Sequence, residues 1–275
     1  MNSRIERVVV ALDAVSENRA AIDTAARLAA RWRARLHGVF VEDDDLLRLA
    51  NLPFARQVSL GAGVERLTLQ QAERQMRAFA EYARRDLAAA ARRRGIAWTF
   101  DIVRGVTGTE MTGSVEGDFL VAGAATRPIG GHFRIDCRWW SNAGPPASSF
   151  LLASRQWEQE AGAIVALLRS RDPAGERLIA AAARLAEANG ARLTVICPEE
   201  LNDDEEFAPW LSDRLAPFSI AVEIDLTPTG PTALIRRIVE LEGRLVAIAA
   251  EDPQARPENL RQLVARIGCD VLVVR

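Results

Sequence analysis

The chain has 275 residues and contains no lysine, so all 35 of its basic residues are arginine. This absence excludes a lysine Schiff base and the lysine of a phosphate-binding loop. Any bound anion must therefore be held by arginine side chains or by backbone amides. The formal net charge is only −2, which gives no overall attraction to nucleic acid or to a membrane surface. We expect neither as a partner.

Cysteine and histidine are also scarce. Cys137, Cys197 and Cys269 are far apart and lack a C-x-x-C spacing, which favours buried, reduced thiols. His37 and His132 are the only histidines, too few for a zinc site of the usual composition. We expect a structural role for all five residues and predict no metal site.

Long apolar runs are missing as well. No stretch approaches the roughly 18 consecutive apolar residues of a transmembrane helix. The first residues lead into a predicted strand without the apolar core of a signal peptide. We therefore expect a cytoplasmic protein with no membrane partner.

A repeated motif organises the sequence. Ala-Arg-Leu-Ala at 26–29, followed by Ala-Arg-Leu at 34–36, returns at 183–186 and 191–193, an offset of 157 residues. Each copy lies between two apolar runs, so the repeating unit is predicted to be strand, helix, strand. The sequence predicts two α/β domains, residues 1–155 and 162–275, joined by a polar linker at 156–161. Strands that alternate with helices predict parallel sheets with right-handed crossovers.

The predicted elements follow from apolar periodicity and from capping residues. Strands are predicted at 7–12, 36–41, 97–103, 119–122, 150–153, 163–168, 192–197, 219–226, 245–249 and 270–274. Helices are predicted at 17–33, 65–94, 173–189, 231–242 and 257–267, with a short one at 210–215. Ser16 is the predicted cap of the first helix, and Gly95 and Gly190 end two others. The apolar segment 46–54 is predicted to be partly helical and to cover apolar surface, with a partner site as the alternative.

The order of these elements resembles the universal stress protein family, as a fused tandem pair. The resemblance rests on Val8–Asp13, the two Ala-Arg-Leu-Ala helices, Asp118–Gly123 and Cys269–Arg275, and it covers nearly the whole chain. It is similar to a bacterial tandem subgroup that generally has no assigned activity. The resemblance implies two Rossmann-like domains (adenine nucleotide alpha hydrolase-like), each a five-stranded parallel sheet of order 3-2-1-4-5 flanked by helices. It also implies intramolecular pairing through the fifth strands, near 150–153 and 271–274, and leaves a homodimer and an unknown protein partner open.

Many family members bind ATP at the carboxyl ends of strands one and four, where open α/β sheets place ligands. They use the carboxylate after strand one, backbone at the end of strand two, and a glycine motif, G-x2-G-x9-G-[ST], whose amides hold the phosphates. Asp13 matches the first of these elements and Val41 the second, and Gly123 ends strand four.

The glycine motif itself does not match. Its best alignment in the first domain is Gly131, Arg134, Gly144 and Pro145, which keeps two glycines and replaces the hydroxyl residue with proline. The corresponding segment of the second domain, 250–257, has no glycine and carries two carboxylates. Ser170 is taken as the second-domain equivalent of the strand-one carboxylate.

One cluster in the first domain could hold an anion without lysine. Gly130, Gly131 and Arg134, with Arg127 and Arg138, combine close backbone approach with forked donors. The alternative is a divergent connection whose arginines face water. Asp13 could similarly be only a strand-end cap for the next helix.

Two functions are compatible with these residues. The first is a non-enzymatic stress-response or regulatory module that has lost the ATP motif in both domains. The alternative is a nucleotide-binding regulator, for ATP or AMP, or a slow ATPase that uses the first domain only. A conventional enzyme is not predicted, because no nucleophile, base and orienting group can be nominated together.

Overall fold

The computed structural model of the chain describes residues 5–14, 18–43, 47–48, 50–52, 56–59, 63–105, 118–123, 149–153, 162–227, 230–256, 259–260, 266 and 268–275. The strands are β1 (Arg7–Leu12), β2 (Arg35–Asp43), β3 (Arg56–Ser59), β4 (Gly63–Arg66), β5 (Trp98–Gly105), β6 (Asp118–Gly123), β7 (Ser149–Ala153), β8 (Ala163–Leu167), β9 (Leu193–Cys197), β10 (Val222–Leu226), β11 (Gly243–Ala249) and β12 (Asp270–Val274). The helices are α1 (Asn18–Trp32), α2 (Leu69–Arg94), α3 (Pro173–Asn189), α4 (Glu199–Asn202), α5 (Phe207–Leu215) and α6 (Pro231–Glu240).

Ten strands form one sheet in the order β10-β9-β8-β11-β12-β7-β6-β1-β2-β5. All neighbouring strands in it are parallel except β7 and β12 at its centre, which are antiparallel. Counted in chain order, with β3 and β4 set aside, the strands of each half follow the order 3-2-1-4-5. The predicted α/β, Rossmann-like fold class is confirmed, and the strands form one large, mostly parallel sheet with flanking helices.

The central junction joins the two halves edge to edge. Leu151 of β7 pairs with Leu272 of β12, and Phe150 pairs with Val273. Leu151 and Leu272 are fully buried. The junction therefore satisfies two edges that would otherwise expose unpaired backbone groups, and it lies at the two segments that the sequence predicted to meet.

One face of the sheet is covered by α1, α2, α3 and α5, whose apolar residues form a single cluster across both halves. The repeated Ala-Arg-Leu-Ala motif supplies part of this packing, because its alanines and leucines are buried in α1 and α3. Arg27 of α1 donates a hydrogen bond from Nη1 to Asn189 Oδ1 of α3 at 2.8 Å. The repeated sequence motif is thus a packing face at the centre of the molecule.

Helix α2 begins four residues later than predicted. Residues 63–66 instead pair with 56–59 as the antiparallel hairpin β3–β4, which was not predicted. Thr68 then caps the helix: its hydroxyl accepts from the Gln71 N–H, and Gln71 Oε1 accepts from the Thr68 N–H. The helix ends as predicted at Gly95, which has a left-handed φ of 63°.

Other predicted elements differ in smaller ways. Strand β10 begins at Val222 rather than at 219, and α6 ends two residues before its predicted end. In the apolar segment 46–54, residues 47, 48 and 50 are helical, and Leu47 and Ala50 are buried in the main cluster. The prediction for that segment is confirmed for these residues. Ser16 and most of the predicted helix 257–267 lie outside the described residues.

The opposite face of the second half is packed by α6, and that of the first half carries a smaller apolar cluster at Val9, Ala11, Val39, Val41, Leu120 and Ala122. Cys197 and Cys269 are buried and form no disulfide, and Cys137 lies outside the described residues. Across the described ranges, no helix combines the length and apolar character needed to span a membrane.

Candidate ligand site at the carboxyl ends of the strands

The first half brings three of the predicted site residues to one edge of the sheet. Ala11 of β1 pairs with Val39 of β2 on one side and with Ala122 of β6 on the other. Asp13, Val41 and Gly123 follow these paired residues by one or two positions. They therefore lie on three adjacent strands, at the edge where open α/β sheets bind ligands.

Asp13 is partly exposed and directly follows β1. Its backbone is held by Asn18, the first residue of α1. The Asp13 N–H donates to Asn18 Oδ1 at 3.3 Å, and Asn18 Nδ2 donates to the Asp13 carbonyl at 2.7 Å. Asn18 thus holds the backbone of Asp13 at the end of β1, a role that sequence reasoning missed.

Val41 and Gly123 are placed differently from each other. Val41 lies inside β2, paired in register with Val103, because the strand continues two residues beyond its predicted end. Its side chain is buried in the smaller apolar cluster. Gly123 is the last residue of β6, is partly exposed and pairs with Ala153.

The predicted phosphate end of the site lies outside the described residues. This applies to Gly130, Gly131 and Arg134, and also to Arg127, Arg138, Gly144 and Pro145. The anion-binding cluster of Gly130, Gly131, Arg127, Arg134 and Arg138 stays a prediction, and the alignment of Gly144 and Pro145 with the glycine motif is not tested.

Strand register identifies the corresponding position in the second half. The repeated Ala-Arg-Leu motif aligns Val39 with Ile196. Val39 pairs with Ala11, and Ile196 pairs with Leu167 of β8. Leu167 is therefore the counterpart of Ala11.

Two residues further along, Arg169 is the counterpart of Asp13. The assignment of Ser170 to this position was wrong, because it applied the offset of 157 to the first strand, where the register gives 156. A carboxylate in the first half is thus replaced by a guanidinium in the second.

Arg169 is committed to an internal ion pair. Its Nε donates to Asp252 Oδ2 at 2.9 Å, and the Asp252 side chain is only 1% exposed. The other carboxylate oxygen of Asp252 accepts from the Gln254 N–H at 2.7 Å and caps the short 3₁₀ turn Pro253–Ala255. Because Arg169 follows β8 and Asp252 follows β11, the pair closes the sheet edge between these two strands.

Ser170 supports the start of α3 instead. The carboxylate of Asp172 caps this helix and accepts from the Gly175 N–H at 2.8 Å. This bond lowers the pKa of Asp172, and a hydrogen bond from Ser170 lowers it further. A Cβ at Gly175 would lie only 2.1 Å from the Ser170 carbonyl oxygen, so only glycine fits there.

Neither metal nor thiol chemistry is indicated at these edges. In the described part of the chain, no three metal-ligating side chains come together. Cys197 ends β9, but burial, followed by the charge of Asp225, raises the pKa of its thiol. The thiol is therefore protonated at neutral pH and is a weak nucleophile.

Comparison with known proteins gives matches only to solved structures. No protein-family model and no curated protein matches the chain. A universal stress protein from Archaeoglobus fulgidus DSM 4304 matches 97% of this chain and 96% of its own, with a TM-score of 0.59 and 12% identity. A functionally unknown protein from Pseudomonas aeruginosa PAO1 matches 98% of this chain and 92% of its own, with a TM-score of 0.60 and 15% identity.

A shorter match is a universal stress protein from Archaeoglobus fulgidus in complex with dAMP. It covers 42% of this chain and 98% of its own, with 16% identity and a TM-score of 0.33. The full-length match to the Archaeoglobus fulgidus universal stress protein confirms the resemblance at the level of the fold. The chain has the fold of a universal stress protein.

Proposed function

We propose that the chain is a tandem member of the universal stress protein family, with domains at 1–155 and 162–275, and that it acts as a non-enzymatic stress-response or regulatory module in the cytoplasm. The full-length fold match and the duplicated motif support the family. The observation that carries the functional proposal is the Arg169–Asp252 ion pair at the edge of the second domain.

This ion pair opposes nucleotide binding in the second domain. The carboxylate that ATP-binding family members place near the adenine and ribose is replaced there by Arg169. A ligand that displaced Arg169 would leave the Asp252 carboxylate buried and without its cation. Breaking a buried ion pair in this way costs about 3–5 kcal/mol. Because Arg169 is partly exposed, we expect a cost near the lower end of this range. A penalty of about 3 kcal/mol weakens binding by roughly a hundredfold.

The alternative function uses the first domain alone. Asp13 is partly exposed at the strand edge, its backbone is held by Asn18, and Gly123 ends the neighbouring strand β6. This arrangement favours a nucleotide-binding regulator or a slow ATPase, with ATP or AMP as the cofactor. The degenerate glycine motif argues for weak binding, although Arg134 and its neighbours could partly replace the lost amides electrostatically.

Calorimetric titration of ATP and AMP separates the two functions. We expect undetectable or millimolar binding to the wild type and to Asp13→Ala. The matched control is Arg169→Ala, which changes the equivalent position of the second domain. Micromolar affinity that is lost in Asp13→Ala but kept in Arg169→Ala would establish the alternative function instead.

A further inference from the structure

The two halves of the chain carry opposite net charges. Residues 1–155 contain 22 arginines and 17 carboxylates, a net charge of +5, whereas residues 162–275 contain 13 arginines and 18 carboxylates, a net charge of −5. The small overall charge of the protein hides this separation. Opposite charges at the two ends of one molecule favour association with a second copy in a reversed orientation.

The charges are concentrated at equivalent places in the two halves. These places lie between β2 and β5 in the first half and between β9 and β10 in the second. Helix α2 has seven arginines and three carboxylates, and the segment 199–215 has seven carboxylates and one arginine. Three exposed arginines of α2 form no ion pair among the described residues: Arg74, Arg85 and Arg92. We call these three side chains the basic surface. The acidic surface consists of the exposed carboxylates Glu199, Glu200, Asp203, Glu205 and Asp213.

Exposed apolar side chains lie beside both charged surfaces. Val222, Ile224 and Leu226 of the edge strand β10 are 36%, 44% and 44% exposed. They pair in register with Leu193, Val195 and Cys197, which belong to the main cluster, so they face the same side of the sheet as α5. On α2, Phe79 and Tyr82 are 47% and 63% exposed.

The exposure of β10 follows from a difference between the halves. In the first half the 26-residue helix α2 packs beside the edge strand β5, and Trp98 and Phe100 contact the main cluster. In the second half the equivalent helix, α5, has only nine residues and leaves the apolar side of β10 uncovered. A helix of another molecule can occupy the space that a longer α5 would fill.

We propose that the occupant is α2 of a second copy of this chain, and that the two copies form a twofold dimer. Helices α2, α1, α3 and α5 lie on one face of the sheet, with α2 next to the β5 edge and α5 on the side of the β10 edge. When two such faces meet about a twofold axis parallel to the strands, the helices of one copy lie opposite those of the other in reversed order. Helix α2 of each copy therefore lies opposite α5 of the other. The basic surface of each copy then meets the acidic surface and β10 of the other, in two identical contacts.

Sedimentation velocity of charge-reversal variants tests this dimer. We expect the wild type to be a dimer at about 50 mM salt and to dissociate at about 500 mM, since exposed charges are screened over a few ångströms there. The double variant Arg74→Glu/Arg85→Glu should weaken dimerisation at least tenfold, and so should Glu200→Arg/Glu205→Arg. The matched control, Arg236→Glu/Arg256→Glu, makes the same change in charge at exposed residues on the opposite face and should associate like the wild type.

Restoration of the dimer gives the sharper result. A one-to-one mixture of the two double variants, and the variant that combines all four substitutions, should both regain the dimer, because the charges are again complementary. Circular dichroism checks that each variant is folded. A wild type that is monomeric at low salt, reversals that associate like the wild type, or oligomers that grow with concentration would each overturn the proposed dimer.

Discussion

Asp252 is a buried carboxylate with two defined partners, the Arg169 guanidinium and the Gln254 amide. We expect Asp252→Ala to lower the free energy of unfolding by about 2 kcal/mol or more, because it leaves Arg169 without its anion and removes a cap. Urea denaturation measures this change. The neighbouring Glu251→Ala is the control: that carboxylate is 61% exposed and lies 3.5 Å from Arg177, so its loss should cost less than about 1 kcal/mol. Equal losses for both variants would contradict the importance of the buried pair.

His37 should make stability depend on pH. Burial lowers its pKa and Arg7 adds to this effect, whereas Asp101 and Asp118 oppose it. Below the unfolded-state pKa of about 6.5, the unfolded chain therefore gains a proton that the folded chain does not. The free energy of unfolding should fall as the pH is lowered from 6.5 towards the folded-state pKa.

His37→Gln should remove this dependence, because glutamine does not titrate and can still bond to the Thr99 hydroxyl, which lies 2.7 Å from His37 Nδ1. Denaturation curves at several pH values between about 7 and 5.5 measure the slope. His132→Gln is the control, since it removes the only other histidine. If the slope persists in His37→Gln and disappears in His132→Gln, the pH dependence belongs to His132 and the prediction for His37 is wrong.

For single residues, the sequence predicted positions in the fold better than it predicted interactions between side chains. Asp13 and Gly123 could be placed at a strand edge because apolar runs end there. The Arg169–Asp252 pair could not be predicted, because its members are separated by 83 residues and meet only once β8 lies beside β11. The alignment error at Ser170 arose because a single offset was carried across a connection that differs in length between the copies.

Helix α2 packs tightly on β2 at Gly38. A Cβ at Gly38 would lie 2.6 Å from Leu87 Cδ2 and 2.9 Å from Phe100 Cδ2. We expect Gly38→Ala to destabilise the protein by about 1–3 kcal/mol through overpacking. Adding Leu87→Val should recover part of this loss, because it shortens the side chain that the new methyl group meets. Thermal or urea denaturation of the three variants gives the coupling, and additive losses would contradict a direct clash.

Prediction of elements succeeded where one periodicity was unbroken and failed where two structures competed. The apolar spacing of α2 was clear, and so was its end at Gly95. The start of α2 was misplaced because Glu65 and Arg66 are good helix formers, yet they pair in the β3–β4 hairpin, a contact that helical periodicity cannot reveal.

Across the whole molecule, the main apolar cluster spans both halves and predicts one cooperative unit. Leu151 of β7 is fully buried at the junction, and Leu151→Ala should cost about 2–5 kcal/mol. Hydrogen exchange of the slowest amides should then become faster in β1 and in β8 alike. The control is Ile102→Ala, at a side chain that is 49% exposed. It should leave the exchange rates in both strands unchanged. Faster exchange in the first half alone would show that the halves unfold separately.

The architecture of the whole molecule was the most predictable feature, because the repeated motif marks the same strand, helix, strand unit in each half. The charge separation between the halves is present in the sequence, but it gains a consequence only when the sheet places α2 and α5 near opposite edges.

The antiparallel junction also decides which way each half faces. Because β7 and β12 run in opposite directions, the carboxyl ends of β1 and β6 lie on the opposite side of the molecule from those of β8 and β11. Arg169 and Asp252 close the second of these ends. Under the alternative function proposed above, one chain would therefore bind a nucleotide on one side only, with a single valency. A twofold axis parallel to the strands leaves strand direction unchanged. The proposed dimer would therefore present its two Asp13 ends side by side towards the same surface.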